Sequence, residues 1–70
     1  MHDNVIGDYC TIAPNAVLLG RVIVENQAYV GANSTILPEI IIREHAIVGA
    51  GSVVTHNVQS DTTVKGVPAK

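Results

Sequence analysis

Branched aliphatic residues recur at every sixth position along most of the chain. Counting by six from Ile6, each residue reached as far as Val54 is isoleucine, leucine or valine. The full set is Ile6, Ile12, Leu18, Val24, Val30, Ile36, Ile42, Val48 and Val54. A period of six fits neither a helix of about 3.6 residues per turn nor a simply alternating strand. The pattern therefore predicts a short strand followed by a turn, repeated along the chain.

A second set of positions, four residues after each of these aliphatics, carries mostly small side chains. It comprises Cys10, Ala16, Val22, Ala28, Ser34, Ile40, Ala46, Ser52 and Val58. Asn15, Asn33, Gly51 and Asn57 each precede a member of this set and tolerate the left-handed backbone region. We therefore expect each unit to turn a corner, with the large side chain inside. Three units would close a triangular coil of eighteen residues, and coils would stack about 4.8 Å apart as parallel strands do.

Charged residues agree with an eighteen-residue register, in which positions eighteen apart are neighbours on adjacent coils. One column holds Glu25, Arg43 and Asp61, and another holds Asp3, Arg21 and Glu39. The signs alternate in both columns, and opposite charges on adjacent strands are stabilising. The sequence thus predicts one all-β domain over residues 1–70, a single-stranded parallel β-helix of about three coils.

Apolar residues also occupy positions that should face outward. Val5, Ile23 and Ile41 form one such column, and Val17, Leu19, Leu37 and Val53 lie on another face. Exposed apolar columns favour a partner surface. A three-sided prism with one apolar face per subunit closes naturally into a cyclic homotrimer, which we expect here in preference to a monomer.

Composition and charge exclude several classes of function. Six acidic residues against four basic ones give a formal net charge of −2, without the basic run that nucleic-acid binding requires. No apolar stretch approaches the roughly 20 residues of a membrane span. A signal peptide is not recognisable either, so we expect a cytoplasmic protein. Cys10 is the single cysteine, and we expect it to pack as a small apolar side chain.

The register places His2 one strand spacing from the backbone of Gly20, an arrangement suited to acyl transfer from a thioester. A neutral histidine can take a proton from an attacking amine or hydroxyl, and an unobstructed N–H can hold the developing oxyanion. Asp3 would orient the His2 ring, although pairing with Arg21 is the simpler role for it. Gly20 would equally serve turn geometry, and His2 would equally be a frayed terminus.

A stripe of small residues forms a second candidate site. Ala13, Gly31 and Gly49 make one exterior column, and Pro14, Ala32, Ala50 and Pro68 make the column beside it. Such a smooth channel suits a long, thin ligand with two amides, such as a pantetheine arm. Close subunit packing is the alternative explanation for the stripe.

The three histidines do not predict a metal site. The spacing of His2, His45 and His56 does not match the zinc ligands of trimeric β-helix carbonic anhydrases. We therefore expect no metal.

Four segments stand out as motifs: HDNVIGDY at 2–9, LGRV at 19–22, VGAGSVV at 48–54 and GVPAK at 66–70. Together they resemble the hexapeptide-repeat acetyltransferases that modify sialic acid or nucleotide-linked amino sugars, including bacillosamine-type N-acetyltransferases. The resemblance implies a left-handed winding and acetyl-CoA as co-substrate. It also implies that His2 is the catalytic base, that Asp3 is its acidic neighbour, and that the Gly20 amide contacts the acetyl carbonyl.

The same resemblance also places cofactor contacts further along the chain. It implies that Ala32 and Ala50 line the acetyl-CoA channel between subunits, and that Pro68 and Lys70 lie near the nucleotide end of the cofactor. The acceptor would be a sugar or nucleotide sugar. The chain departs from the pattern at Thr11, where members often carry a second histidine, and it lacks their N-terminal domain and extra coils. The alternative function is therefore a non-catalytic trimeric scaffold or a truncated relic.

Overall fold

The computed structural model describes residues 4–70, and in this part of the chain every regular element is a two-residue strand. The strands are β1 (Val5–Ile6), β2 (Thr11–Ile12), β3 (Val17–Leu18), β4 (Ile23–Val24), β5 (Tyr29–Val30), β6 (Thr35–Ile36), β7 (Ile41–Ile42), β8 (Ile47–Val48), β9 (Val53–Val54) and β10 (Thr63–Val64). Each strand from β1 to β9 ends on one of the periodic aliphatics, as the sixfold pattern predicts. None of the described residues forms a helix long and apolar enough to cross a membrane.

Three parallel sheets form the sides of a prism. Their strand orders are β1-β4-β7, β2-β5-β8-β10 and β3-β6-β9, so each strand pairs with the one three units further along. The pairs Val5↔Ile23, Thr11↔Tyr29 and Val17↔Thr35 are each eighteen residues apart. The predicted fold is therefore confirmed: the chain is a left-handed parallel β-helix of about three coils.

The interior contains the residues that the repeat predicts. Val24, Val30, Ile36, Ile42, Val48 and Val54 are each at most 1% exposed. Full burial of one such side chain contributes about 1.5–3 kcal/mol. The first coil is more exposed to solvent, because among the described residues another coil packs against one side of it only. Ile6 is accordingly 44% exposed.

The corners adopt a left-handed backbone at regular intervals whatever residue stands there. Positive φ angles of 54–65° occur at Tyr9, Asn15, Arg21, Gln27, Asn33, Glu39, His45 and Asp61, and Gly51 has 71°. The predictions for Asn15, Asn33 and Gly51 are confirmed. The left-handed region costs most L-residues about 1–2 kcal/mol. The winding therefore imposes the corner conformation, and the favourable side chains merely reduce its cost.

The last coil is two residues shorter than the others, which corrects several predictions. Val58 bridges to Ile42 and Val64 pairs with Val48, in each case sixteen residues apart. Val58 therefore occupies an interior position and not the corner position expected of it. Asn57 has no positive φ, contrary to expectation. Its side-chain Oδ1 instead accepts a hydrogen bond of 2.8 Å from the Ile41 N–H.

Two of the predicted charge pairs form, and one does not. Arg43 Nη1 lies 3.2 Å from Glu25 Oε2, and Arg21 Nη1 lies 3.5 Å from Glu39 Oε2. Asp61 was expected beside Arg43 but lies 3.4 Å from the His45 ring, because the short last coil shifts it by two residues. Asp3 falls outside the described residues.

The two arginine pairs should differ in their contribution to stability. We expect Arg43→Gln to lower the free energy of unfolding by roughly 0.5–1 kcal/mol, and Arg21→Gln by roughly 0.5 kcal/mol or less. The Arg43 pair is closer and less exposed, and Glu25 also accepts the Glu44 N–H at 3.2 Å. Urea unfolding of both variants at equal protein concentration measures the difference. Equal losses would contradict the assignment of the stronger pair to Arg43.

Candidate active site

Of the three predicted catalytic residues, Gly20 lies in the described part of the chain, whereas His2 and Asp3 lie outside it. The Gly20 carbonyl accepts the Glu39 N–H at 2.9 Å, and the Gly20 N–H has no acceptor among residues 4–70. An amide left free in this way can donate to a ligand. Gly20 also has a φ of 133°, which L-residues rarely adopt, so turn geometry requires a glycine here as well.

The eighteen-residue register extends down to Asn4, two residues after His2. Asn4 Oδ1 accepts the Val22 N–H at 2.9 Å, and Asn4 Nδ2 donates to the Leu18 carbonyl at 3.3 Å. These bonds hold the start of the described chain over the corner that contains Gly20. The described structure thus reaches Asn4 at this corner, and the position of His2 stays a prediction.

The backbone N–H groups of the first column of the small-residue stripe all form hydrogen bonds between coils. The N–H groups of Ala13, Gly31 and Gly49 donate at 2.8–2.9 Å to the carbonyls of Val30, Val48 and Val64. Gly31 is buried, and a Cβ built on it would lie 2.6 Å from the Ala50 nitrogen. Gly31 therefore does not lie on the exterior, contrary to the prediction. The column also offers a ligand no backbone N–H donors, because the coil-to-coil hydrogen bonds use all three.

Ala32 and Ala50, in the adjoining column, do provide donors. The Ala32 N–H and the Ala50 N–H have no acceptor among residues 4–70. Ala50 is exposed and Ala32 is half-buried. Pro14, one coil below, has no N–H to offer. The corner thus presents two free amides in line, beside a strip of backbone that carries almost no side chain.

Two serines fix the upper end of this stripe. Ser34 and Ser52 are fully buried, and their hydroxyls donate to the Gly49 carbonyl at 3.0 and 2.7 Å. Ser52 Oγ also accepts the Gly66 N–H at 3.2 Å. Both buried hydroxyls are therefore hydrogen-bonded, and they hold Gly49 and the last turn of the chain in a defined position.

The last six residues fold into a closing turn over β9. Lys65 N–H donates to the Lys70 carbonyl at 3.3 Å, and Lys70 N–H donates to the Lys65 carbonyl at 3.1 Å. The turn attaches to Val53, whose N–H donates to Gly66 and whose carbonyl accepts the Ala69 N–H. Pro68 lies within this turn.

Lys65 is a residue at this site that the eighteen-residue register misses. Because the last coil is short, Lys65 lies over Gly49, where that register places Val67, and the expected stacking of Pro68 on Ala50 is displaced with it. A Cβ built on Gly49 would lie 3.0 Å from the Lys65 Cβ. The sequence does carry a signal for the offset: Val58 and Val64 are again six apart, two residues out of phase with Val54.

Both histidines of the described residues have polar partners. His45 contacts Gln27 through Nε2 and Asp61 through Nδ1, and His56 Nδ1 lies 3.0 Å from Thr55 Oγ1. Within residues 4–70, no group of three histidine, cysteine or acidic side chains is placed to hold a metal ion.

A shallow cleft of about 300 Å³ lies at a different corner. Its lining includes Val5, Ile23, Glu25 and Glu44. Both carboxylate oxygens of Glu25 are already bonded, to Arg43 and to the Glu44 N–H. The cleft contains none of the predicted site residues, and its lining provides no acid–base pair.

The hexapeptide pattern matches a known family over the middle of the chain. Residues 21–56, just over half of the sequence, match the family described as bacterial transferase hexapeptide (six repeats). The chain belongs to this hexapeptide transferase family. None of the curated proteins matches the sequence at a significant level.

Solved acetyltransferase structures share the fold of this hexapeptide chain. PerB from Caulobacter crescentus, in complex with CoA and GDP-perosamine, is 36% identical with a TM-score of 0.97 over 99% of this chain and 33% of its own. A variant of perosamine N-acetyltransferase from the same organism, with the same ligands, is 35% identical with a TM-score of 0.95, over 97% and 32%. Serine acetyltransferase from Neisseria gonorrhoeae, in complex with serine, is 34% identical with a TM-score of 0.89, over 96% and 30%. The hexapeptide chain thus spans about a third of the length of these proteins.

Proposed function

We propose that this chain is the acetyl-donor part of an acetyl-CoA-dependent acyltransferase that modifies an amino or hydroxyl group of a sugar or nucleotide sugar. The observation that carries the proposal is the pair of free amides at Ala32 and Ala50, beside the column of Ala13, Gly31 and Gly49. A pantetheine arm has two amide carbonyls and a thin apolar chain, which this surface would accommodate. Structural neighbours with CoA and GDP-perosamine support the choice of donor and acceptor class.

In this proposal His2 and Gly20 perform the chemistry. The acceptor nitrogen or oxygen attacks the thioester carbonyl carbon while the His2 imidazole takes its proton. The Gly20 N–H donates to the carbonyl oxygen as negative charge develops on it. The carbon–sulfur bond then breaks, and the His2 proton passes to the departing sulfur. Asp3 orients the imidazole, and Pro68 and Lys70 contact the nucleotide end of the donor.

The site would be completed by a homotrimer. Val5 is 60% exposed and Val17 is 46% exposed, and both belong to the outward apolar columns. Aliphatic side chains exposed in columns favour burial against a second subunit. A neighbouring subunit packed there would form the other wall of the donor channel.

A non-catalytic scaffold is the competing function. The φ angle of Gly20 favours the scaffold, because the turn requires a glycine at this position whether or not the residue takes part in catalysis. The two functions differ in whether the stripe binds the donor.

Acetyl-CoA should raise the melting temperature of the protein. A ligand that binds the folded state alone at 100 times its Kd stabilises it by about 2.7 kcal/mol, which for a chain of this length corresponds to roughly 10–20 °C. Differential scanning fluorimetry with increasing acetyl-CoA measures the effect. The absence of any shift at millimolar acetyl-CoA would contradict the proposal and favour the scaffold.

A proline substitution tests the free amide directly. Pro14 and Pro38 occupy the same place in their repeats as Ala50, so Ala50→Pro should fit the backbone while removing the N–H. We expect this variant to melt near the wild-type temperature without ligand and to lose most of the acetyl-CoA shift. Ala50→Ser keeps the N–H and is the matched control. A full shift in Ala50→Pro would exclude this amide from donor binding.

A further inference from the structure

Asn4 is a polar residue at a position that the next two coils fill with buried aliphatic residues. Val22 and Ile40 follow it in the same column at intervals of eighteen residues, and they are at most 6% exposed. Asn4 itself is half-buried. A polar side chain in such a place needs hydrogen-bond partners. Asn4 finds them on the corner formed by residues 19–21.

The Asn4 side-chain amide bonds to the backbone on both sides of that corner. Its Nδ2 donates to the Leu18 carbonyl at 3.3 Å, and its Oδ1 accepts the Val22 N–H at 2.9 Å. The corner is also fixed to the next coil, because the Gly20 carbonyl accepts the Glu39 N–H at 2.9 Å. One side chain therefore spans the corner whose middle residue is Gly20.

The bond from Val22 to Asn4 stands in place of a turn bond that closes other corners of the β-helix. At four corners of the described chain, an N–H donates at 3.2–3.4 Å to the carbonyl three residues earlier. The pairs are Ala16 to Ala13, Ala28 to Glu25, Ser34 to Gly31 and Ala46 to Arg43. The corresponding bond here would run from Val22 to the Leu19 carbonyl, but Val22 donates to Asn4. The Leu19 carbonyl has no donor among residues 4–70.

This carbonyl belongs to the same peptide group as the Gly20 N–H. A peptide group is planar, so its C=O and N–H rotate together. Gly20 has a φ of 133°. The residues in the same place at the four turn-bonded corners, none of which has a positive φ, are Pro14, Asn26, Ala32 and Glu44. The peptide plane at Gly20 is therefore turned differently from those of the corners that keep the turn bond.

We propose that Asn4 is a positioning residue for acetyl transfer: its side-chain amide holds the Leu19–Gly20 peptide in the orientation from which the Gly20 N–H contacts the thioester oxygen. This inference rests on the proposed function, in which that N–H stabilises the oxyanion. It adds that the direction of the N–H is set by a side chain two residues after the proposed base, His2. Loss of this alignment lowers the rate of the chemical step and leaves donor binding in place.

Replacing Asn4 with valine tests this role, since valine occupies the same column at position 22. In Asn4→Val the Val22 N–H should return to the Leu19 carbonyl and turn the peptide plane. We expect the transfer rate at saturating acetyl-CoA to fall on the order of 100-fold, as loss of an oxyanion donor does, with little change in KM for acetyl-CoA. Thiol release at a series of acetyl-CoA concentrations measures both. Asn4→Ala removes the same two bonds without added bulk and serves if the valine variant does not fold.

Two further variants separate positioning from a general loss of stability. Asn4→Asp keeps an oxygen that accepts the Val22 N–H, and it should recover most of the rate on the plateau of the pH–rate profile, where ionisation of the base does not limit turnover. Asn26→Ala is the matched control. Asn26 Oδ1 accepts the Asp8 N–H at 2.8 Å, again between residues eighteen apart but at a different corner. Its removal should leave the transfer rate and KM unchanged.

Three results would overturn the role of Asn4: an unchanged rate in Asn4→Val, a loss expressed in KM alone, or an equal loss in Asn26→Ala. If the wild-type protein transfers no acetyl group, the proposed function fails, and the orientation of the peptide is then tested by itself. The φ of Gly20, measured by NMR from its amide–α-proton couplings, should depart from 133° in Asn4→Val and stay there in Asn26→Ala. An unchanged φ in Asn4→Val would overturn the inference.

Discussion

Replacing Gly31 with alanine is expected to lower the free energy of unfolding by about 3 kcal/mol, the upper end of the usual cost of overpacking. A Cβ at this position would lie 2.6 Å from the Ala50 nitrogen and 2.7 Å from the Val48 carbonyl oxygen. Both atoms belong to the backbone of the next coil, which is held by ladder hydrogen bonds and cannot rotate away as a side chain would. The two coils would have to separate locally. Urea unfolding at fixed protein concentration measures the loss.

The matched control is the next glycine of the same column. A Cβ at Gly49 would meet a single close atom, the Lys65 Cβ at 3.0 Å, and its other neighbours would lie 3.5 Å or further away. We therefore expect Gly49→Ala to cost less than about 1 kcal/mol, because a small shift of the turn relieves the contact. If the two variants were equally stable, the close approach of the coils at Gly31 would be contradicted.

Removing the imidazole of His2 is expected to reduce acetyl transfer by about 10²–10⁴-fold, the usual contribution of a general base. Without it the acceptor must lose its proton to water as it attacks the thioester. Thiol release from acetyl-CoA, measured with a panel of amino sugars and nucleotide sugars, gives the rate for wild type and His2→Ala. The melting-temperature shift with acetyl-CoA should persist in the variant, because the base does not bind the donor arm.

His56 provides the matched histidine control. It occupies the predicted column of His2 and Gly20, two coils beyond Gly20, is exposed, and lies within hydrogen-bond distance of Thr55. His56→Ala should therefore leave the transfer rate within about twofold of wild type, as surface substitutions away from a site usually do. Normal turnover in His2→Ala, or a comparable loss in His56→Ala, would remove His2 from the mechanism.

The sixfold period was sufficient to predict the fold because it reports burial directly. The chain has a core because residues such as Ile42 point inward. Ile42 pairs with Val24 on one adjacent coil and with Val58 on the other, so these aliphatic residues stack inside the prism. The charge column of Glu25 and Arg43 predicted the eighteen-residue coil independently of any apolar residue. The failure lies between Val54 and Val58, where one repeat is shortened to four residues. Asn57 compensates for the shorter repeat, because its side-chain Oδ1 accepts the hydrogen bond from the Ile41 N–H in place of a backbone carbonyl.

The candidate site was less predictable, for a physical reason. Sequence columns show which residues stack, and they do not show which amides remain free once the ladder has formed. Gly31 and Ala32 are adjacent small residues of the stripe. The Gly31 N–H donates to the Val48 carbonyl, whereas the Ala32 N–H has no acceptor among residues 4–70. Lys65 was missed because its position depends on the two-residue offset one turn earlier. His2 and Asp3 remain predictions.

The hydrogen bonds of the β-helix also have a consequence for how the chain folds. Most of the backbone bonds join residues on different coils, such as the bond from Val5 to Val22, and a minority join residues close in sequence. The first coil must therefore close a loop of about eighteen residues before it gains a ladder bond, at an entropic cost of roughly 2.5 kcal/mol plus a constant. Later coils add to an edge that already exists. Folding should then be slow to nucleate and quick to propagate, with a rate governed by the first pair of coils to meet.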